Sequence, residues 1–289
     1  MSSYSGFESS VGRPLPGVEV LDIGGGLDPN QFTEFVKSLT IPAHADWAGN
    51  SVEARPARLF DRALAAASRT PEKPRDPWAP DHYWHFDGGY SGEANQFASV
   101  LYAQHLRGRV AGTEFIDTAE LLLAVESDQP GLTEELSACT GEYSVTRYYT
   151  DILSALGEVA GNSIERTLQS KNASSLAEVA HREDVRYPIK HFPALLTHPF
   201  RRELCSMVDD LNLVRLLGVN ATRGAELMRR MRDEYLNLPR EELSDRPYYY
   251  RHQWQEGQVV VFPQVGTMHR AEPSPAGELR RDTLRLFVA

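Results

Sequence analysis

The segment Tyr83-Trp84-His85-Phe86-Asp87-Gly88-Gly89-Tyr90 carries an imidazole and a carboxylate two residues apart. On an extended chain, residues i and i+2 share a face, so His85 and Asp87 can address one ion. With 9 His and 16 Asp in 289 residues, roughly 0.5 His-x-Asp triplets are expected by chance. The pair alone is therefore a weak signal, and a solvent-facing polar pair on a loop explains it equally well. A metal reading needs a third donor from far along the chain. His269, in the segment GTMHRAEP, lies near the end of a strand-like pattern. Taken alone it reads as a surface or core histidine.

Together the three residues have a specific chemistry. Two imidazoles and one carboxylate on one face of an octahedron leave three positions open, the donor set of non-haem Fe(II) oxygenases. The segment RRDTLRLFVA adds a second clue. By period two, Arg281, Thr283 and Arg285 share one face of a strand. Inward-pointing guanidinium groups need an anionic partner, because an unpaired buried charge is costly. A dicarboxylate co-substrate is one such partner. The alternative is that Arg280 and Arg281 sit in solvent while Arg285 pairs with an internal acid such as Glu114.

The elements that must position these residues are read from local pattern. VEVLDI (18–23) alternates as a strand. Asp28, with Pro29 and Gln31 behind it, predicts a capped helix running to about Leu39. A second helix is expected over 57–69 (ARLFDRALAAASR), followed by a proline-rich loop over 70–80. Residues 96–106 and 109–118 read as strands, and 119–125 as a helix with Thr118 as its cap. Residues 150–183 have helical spacing and stand as an insertion, serving as a lid or a homo-oligomer contact. A helix is expected over 221–236 and strands over 248–270 and 280–289. Strands in both halves that must close across a long gap predict a mainly β fold with helical additions (α+β). Its core would be a jelly roll, or double-stranded β-helix, forming one domain over 1–289.

Composition narrows the setting. The net charge of −10 argues against a nucleic-acid partner. No run of residues is long and apolar enough for a membrane span, and the first residues carry no secretory signal pattern. Two cysteines, Cys139 and Cys205, are too few for a disulfide framework and fit a reducing cytoplasm.

In order along the chain, WHFDGGY, GTEFIDT, THPFRRELC, YYYRHQWQEGQVVVF, TMHRAE and RRDTLRLF resemble the taurine dioxygenase and clavaminate synthase-like family of Fe(II)/2-oxoglutarate oxygenases. HFDGG and YYYRHQW are most similar to its carbapenem synthase branch, which acts on small secondary metabolites. The resemblance implies that His85, Asp87 and His269 bind iron. It implies that Thr113 and Arg281 hold the distal carboxylate of 2-oxoglutarate, and that Arg285 meets an anionic or zwitterionic small-molecule substrate. The implied cofactors are Fe(II), 2-oxoglutarate and O2. Asp87 in the ligand set favours hydroxylation, desaturation, cyclisation or epimerisation over halogenation. Trp84 and Tyr90 flank the ligands as walls of a substrate pocket, or are plain core packing. The chain departs from the family pattern at Gly257-Gln258, where Gly-Asp is usual, and at Phe262-Pro263-Gln264, where Trp-Asp-Asn is usual. Two other classes fit parts of the pattern: a zinc hydrolase or isomerase with the same donors, and a non-catalytic β-sandwich binding module.

Overall fold

The computed structural model describes residue 15 and residues 18–41, 44–45, 51–52, 55–56, 64–66, 78–87, 98–106, 111–198, 201–272 and 281–288. The elements that build the site are, in chain order, β1 (Glu19–Asp22), α1 (Pro29–Ser38), β2 (Leu64–Ala66), β3 (Ala98–Leu106), β4 (Thr113–Asp117) and α2 (Thr118–Asp128). Towards the end of the chain come β5 (Tyr249–His252), β6 (Gln258–Pro263), β7 (Thr267–Ala271) and β8 (Arg281–Val288). Five strands form one sheet in the order β1-β6-β3-β8-β2, and three form a second in the order β5-β4-β7. Every pairing in both sheets is antiparallel.

The two faces of the central strand β3 explain the layering. Val100 and Tyr102 point to one side, where Phe32 and Val36 of α1 and Val259 of β6 meet them. Phe32 stacks on Tyr102 with ring centroids 5.1 Å apart. Helix α1 is fixed by the expected capping box: Asp28 accepts from the N–H groups of Asn30 and Gln31 at 2.8 and 2.9 Å, and Gln31 accepts from the N–H of Asp28 at 2.9 Å. Leu101 and Ala103 point the other way, into a layer shared with Phe115 of β4, Val260 and Phe262 of β6, and Trp254. Phe115 and Phe262 meet edge to face at 5.1 Å, so the two sheets pack face to face. Such a layer of buried aliphatic and aromatic side chains is the dominant stabilising contact of a sandwich.

The chain crosses between the sheets at Gln264-Val265-Gly266, because β6 belongs to the larger sheet and β7 to the smaller. Gly266 has φ +89°, and a Cβ there would lie 2.3 Å from Cδ2 of His198. Only glycine fits this corner.

Several expectations need correction. Leu64–Ala66 is not helical: it pairs antiparallel with Thr283–Arg285, while 57–63 and 67–69 lie outside the described residues. The cap of α2 is Asp117 rather than Thr118; its carboxylate accepts from the N–H groups of Ala119 and Glu120 at 2.9 and 3.2 Å. Helix 221–236 ends its regular α-helix at Met231 and continues as a π-turn to Leu236. The 150–183 region does contain helices, Gly161–Lys171 and Leu176–Arg186 among them. Leu153, Ala160, Val179 and Ala180 of that region pack with Tyr148 just before it; the Tyr148 hydroxyl donates to the Trp78 carbonyl at 2.6 Å and its ring meets Tyr83 edge-on at 6.4 Å. Among the described residues no helix is long and apolar enough to cross a membrane.

Candidate metal centre and active site

His85 and His269 form an antiparallel bridge. The His85 N–H donates to the His269 carbonyl at 3.1 Å, and the His269 N–H donates to the His85 carbonyl at 3.0 Å. Directly opposed residues send their side chains to the same side, and the two rings lie 4.3 Å apart. Strand β7 is itself paired to β4, with His269 opposite Phe115. Asp87 closes the group, with Oδ1 3.8 Å from His85 Nε2 and Oδ2 3.6 Å from His269 Nε2. One ligand atom from each residue lies within 4.8 Å of the others, and all three residues are buried.

The donor set suits a divalent ion. His85 Nδ1 lies 2.7 Å from the Tyr83 carbonyl. A carbonyl only accepts, so Nδ1 carries the proton and Nε2 keeps its lone pair for a metal. Cis ligands at bonds of about 2.1 Å lie roughly 3 Å apart, slightly closer than the observed gaps. The His269 ring is held between Phe262 at 4.8 Å and Phe115 at 6.2 Å. Asp87 Oδ2 accepts from the Ser99 hydroxyl at 2.7 Å.

Thr113 opens β4 on the face that carries Phe115, opposite His252 and Ala271. Its hydroxyl oxygen accepts from the indole N–H of Trp254 at 2.9 Å. Trp254 in turn abuts the His252 ring at 4.5 Å, perpendicular to it. This support went unread in the sequence, although Trp254 lies within the quoted YYYRHQW motif.

The other face of the small sheet is ionic. Glu114 is fully buried; Arg270 donates to it at 2.5 Å, Tyr249 at 2.7 Å and Arg240 at 3.0 Å. Burial raises its pKa, but Arg270 and the hydroxyl of Tyr249 outweigh burial and hold it below the ordinary glutamate value. Glu272 binds Arg251 and Arg240, each at 2.7 Å.

Of the residues singled out in the sequence, Trp84 does not gather here. Trp84 has no accessible surface: its N–H donates to the Leu236 carbonyl at 2.7 Å, and Arg270 lies over its ring at 4.3 Å. A side chain so enclosed packs the core and walls no pocket. Arg281 and Arg285 lie in β8 opposite Leu106 and Leu101 of β3. The register shifts between Asp282 and Thr283, where one step along β8 spans His105 to Ala103, so the extra residue of the irregularity lies on β3. Tyr90 lies outside the described residues.

The sequence model of the family described as "Taurine catabolism dioxygenase TauD, TfdA family" matches residues 17–287. No curated protein matches the chain. Among solved structures, a candidate alpha-ketoglutarate dependent 2,4-D dioxygenase from Burkholderia xenovorans is similar, with TM-score 0.58 and 16% identity over 94% of this chain and 81% of that one. A taurine dioxygenase from the same organism aligns with TM-score 0.54 and 17% identity over 94% and 76% of the two chains. AAD-2, in complex with Mn(II) and N-oxalylglycine, aligns with TM-score 0.54 and 18% identity over 75% and 71%. The match over nearly the whole chain places it in a family of dioxygenases that work with Fe(II), 2-oxoglutarate and O2. The chain belongs to the TauD/TfdA family and is an Fe(II)- and 2-oxoglutarate-dependent dioxygenase.

Proposed function

We propose that this dioxygenase oxidises an unactivated C–H bond of a small anionic or zwitterionic molecule, with His85, Asp87 and His269 as its iron ligands. The observation that carries the reading is the convergence of these three donors within 4.8 Å on segments tied by a backbone bridge. Fe(II) with 2-oxoglutarate and O2 supplies the oxidant, and succinate and CO2 leave as co-products.

The chain's own groups bind, orient and shield. His85 presents Nε2 because the Tyr83 carbonyl holds the proton on Nδ1. Thr113 and Arg281 hold the distal carboxylate of the co-substrate. An indole can only donate, so Thr113 receives the Trp254 N–H and directs its own proton elsewhere, which suits a carboxylate. Arg285 anchors the substrate anion; its strand position opposite Leu101 borders the layer between the sheets. Tyr90 follows the Asp87 ligand in the chain and contributes to the substrate wall. With Asp87 as a ligand, the outcome is hydroxylation, desaturation, cyclisation or epimerisation. The two facing sheets form a jelly-roll core, and the helices of 150–183 cover the approach beside Trp78 and Tyr83. The two buried free thiols, Cys139 and Cys205, suit a cytoplasmic enzyme, and the quoted HFDGG motif suits secondary metabolism.

The test is anaerobic addition of Fe(II) and then 2-oxoglutarate. A weak visible charge-transfer band is expected in the wild type and not in His269→Ala. Small organic acids and amino acids are then screened for a shift of that band and for turnover. A wild-type protein that develops no band sinks the ligand assignment.

A further inference from the structure

Gln264 occupies the corner where the chain passes from the five-stranded sheet into the small one, and its side chain turns inward. It is 2% exposed, and Ser99, on the adjacent strand β3, is fully enclosed. The Gln264 amide nitrogen donates to Ser99 Oγ at 2.7 Å. Ser99 Oγ donates to Asp87 Oδ2, also at 2.7 Å.

The directions of these bonds follow from donor counts. A serine hydroxyl has one proton, and an ionised aspartate can only accept. Ser99 must therefore give its proton to Asp87. Gln264 must then offer Ser99 an N–H and not its carbonyl. This orientation leaves Gln264 Oε1 buried and, among the described residues, without a hydrogen-bond partner, an arrangement that costs free energy. Flipping the amide would bring its carbonyl to Ser99 and draw the serine proton away from Asp87.

We propose that Gln264 is a positioning residue that acts through Ser99 to fix the Asp87 carboxylate for metal binding; this rests on Asp87 being a ligand with His85 and His269. The relay joins three segments that must be in register for the donors to converge: the inter-sheet corner, β3 and the His-x-Asp segment. It ties one carboxylate oxygen to a hydroxyl, which limits rotation of the carboxylate about its Cβ–Cγ bond and favours single-oxygen coordination. Partners of this kind around metal-bound carboxylates typically contribute 10–100-fold to affinity.

The experiment is a titration with Mn(II) alone, followed by the electron paramagnetic resonance signal of the free ion. It compares wild type, Gln264→Leu, Ser99→Ala, the Ser99→Ala/Gln264→Leu double variant and His269→Ala, with a melting curve for each. Gln264→Leu and Ser99→Ala are each expected to weaken Mn(II) binding by about tenfold or more. The double variant should bind no more weakly than Ser99→Ala, because residues acting in series are not additive. Gln264→Met tests the same point if the leucine variant does not fold. It keeps the length of the side chain but has no N–H to give Ser99, so weaker binding is again expected. Wild-type affinity in Gln264→Leu or Gln264→Met, with only a lower melting temperature, overturns the relay, and so do additive losses in the double variant. Absence of Mn(II) binding by the wild type, or unchanged binding by His269→Ala, overturns the ligand assignment itself and the relay with it.

Discussion

His85 and His269 exchange both of their backbone hydrogen bonds, at 3.1 and 3.0 Å. The closeness of these two residues is thus a property of the main chain, and the backbone pairing does not depend on either side chain.

Replacing His85, Asp87 or His269 singly with alanine should therefore leave the circular dichroism spectrum unchanged while reducing succinate formation at least a hundredfold. Asp87→Ala turning over 2-oxoglutarate at the wild-type rate would show that the assignment is wrong.

Trp254→Phe keeps most of the buried ring and removes the N–H that Thr113 accepts. The apparent constant for 2-oxoglutarate should rise several-fold, in line with about 1 kcal/mol for a neutral hydrogen bond. Arg281→Ala should raise it at least tenfold, since a charge-assisted pair in a secluded site is worth about 2–5 kcal/mol. Steady-state kinetics with varied 2-oxoglutarate separates the two, and an Arg281→Ala constant equal to wild type assigns the carboxylate to another residue.

Arg285→Gln should continue slow decarboxylation of 2-oxoglutarate but form no oxidised product. Misplacing a substrate by about 1 Å can cost roughly a hundredfold. The competing idea, a structural salt bridge from Arg285 to Glu114, loses ground because Glu114 already binds Arg270, Arg240 and Tyr249. Measuring succinate, product and melting temperature on this variant decides it. A large fall in melting temperature with coupling intact counts against the substrate role.

His198 supplies a pH dependence. It is 1% exposed, and burial, with Arg201 adding to it, lowers its pKa to about 4. Between there and the ordinary histidine value, the unfolded chain binds a proton that the folded chain refuses. Stability is therefore full above about pH 6.5 and falls as pH drops towards 4, by on the order of 3 kcal/mol from this group. Urea unfolding at pH 7.5 and pH 5 should show the loss, and His198→Asn should shrink the difference between the two pH values. An unchanged difference in that variant assigns the acid sensitivity to other groups.

What could be read in advance followed from local chemistry. Asp28, Pro29 and Gln31 carry their capping instructions within four residues, and α1 starts where they say. His85, Asp87 and His269 could be singled out because metal donors are a short list of residue types, and the three do converge. Features set by distant partners were hidden. The alanine-rich run around Leu64–Ala66 favours a helix in isolation, yet pairing with Thr283–Arg285 makes it a strand. The strands Thr140–Tyr143, Lys190–Pro193 and Leu213–Leu217 went unassigned. They are short and polar in part, and they are held by one another as a separate three-stranded sheet. Trp84 sits beside His85 in sequence, but its ring turns into the core, where its N–H donates to the Leu236 carbonyl. The serine and glutamine behind Asp87 have ordinary residue types and no spacing rule that would connect them.

The histidine bridge also sets an order of events. During synthesis, Asp87 leaves the ribosome about 180 residues before His269, and at typical elongation rates that is on the order of 10–40 s. Until the later strand arrives, the early histidine and aspartate have no partner imidazole and no neighbouring backbone to pair with. A nascent chain in that interval offers an ion at most a weak two-donor foothold. Full affinity at a site built from His85, Asp87 and His269 would be available only to a finished molecule, so iron held there would act as a checkpoint on completed folding and would resist unfolding by holding two distant parts of the chain together.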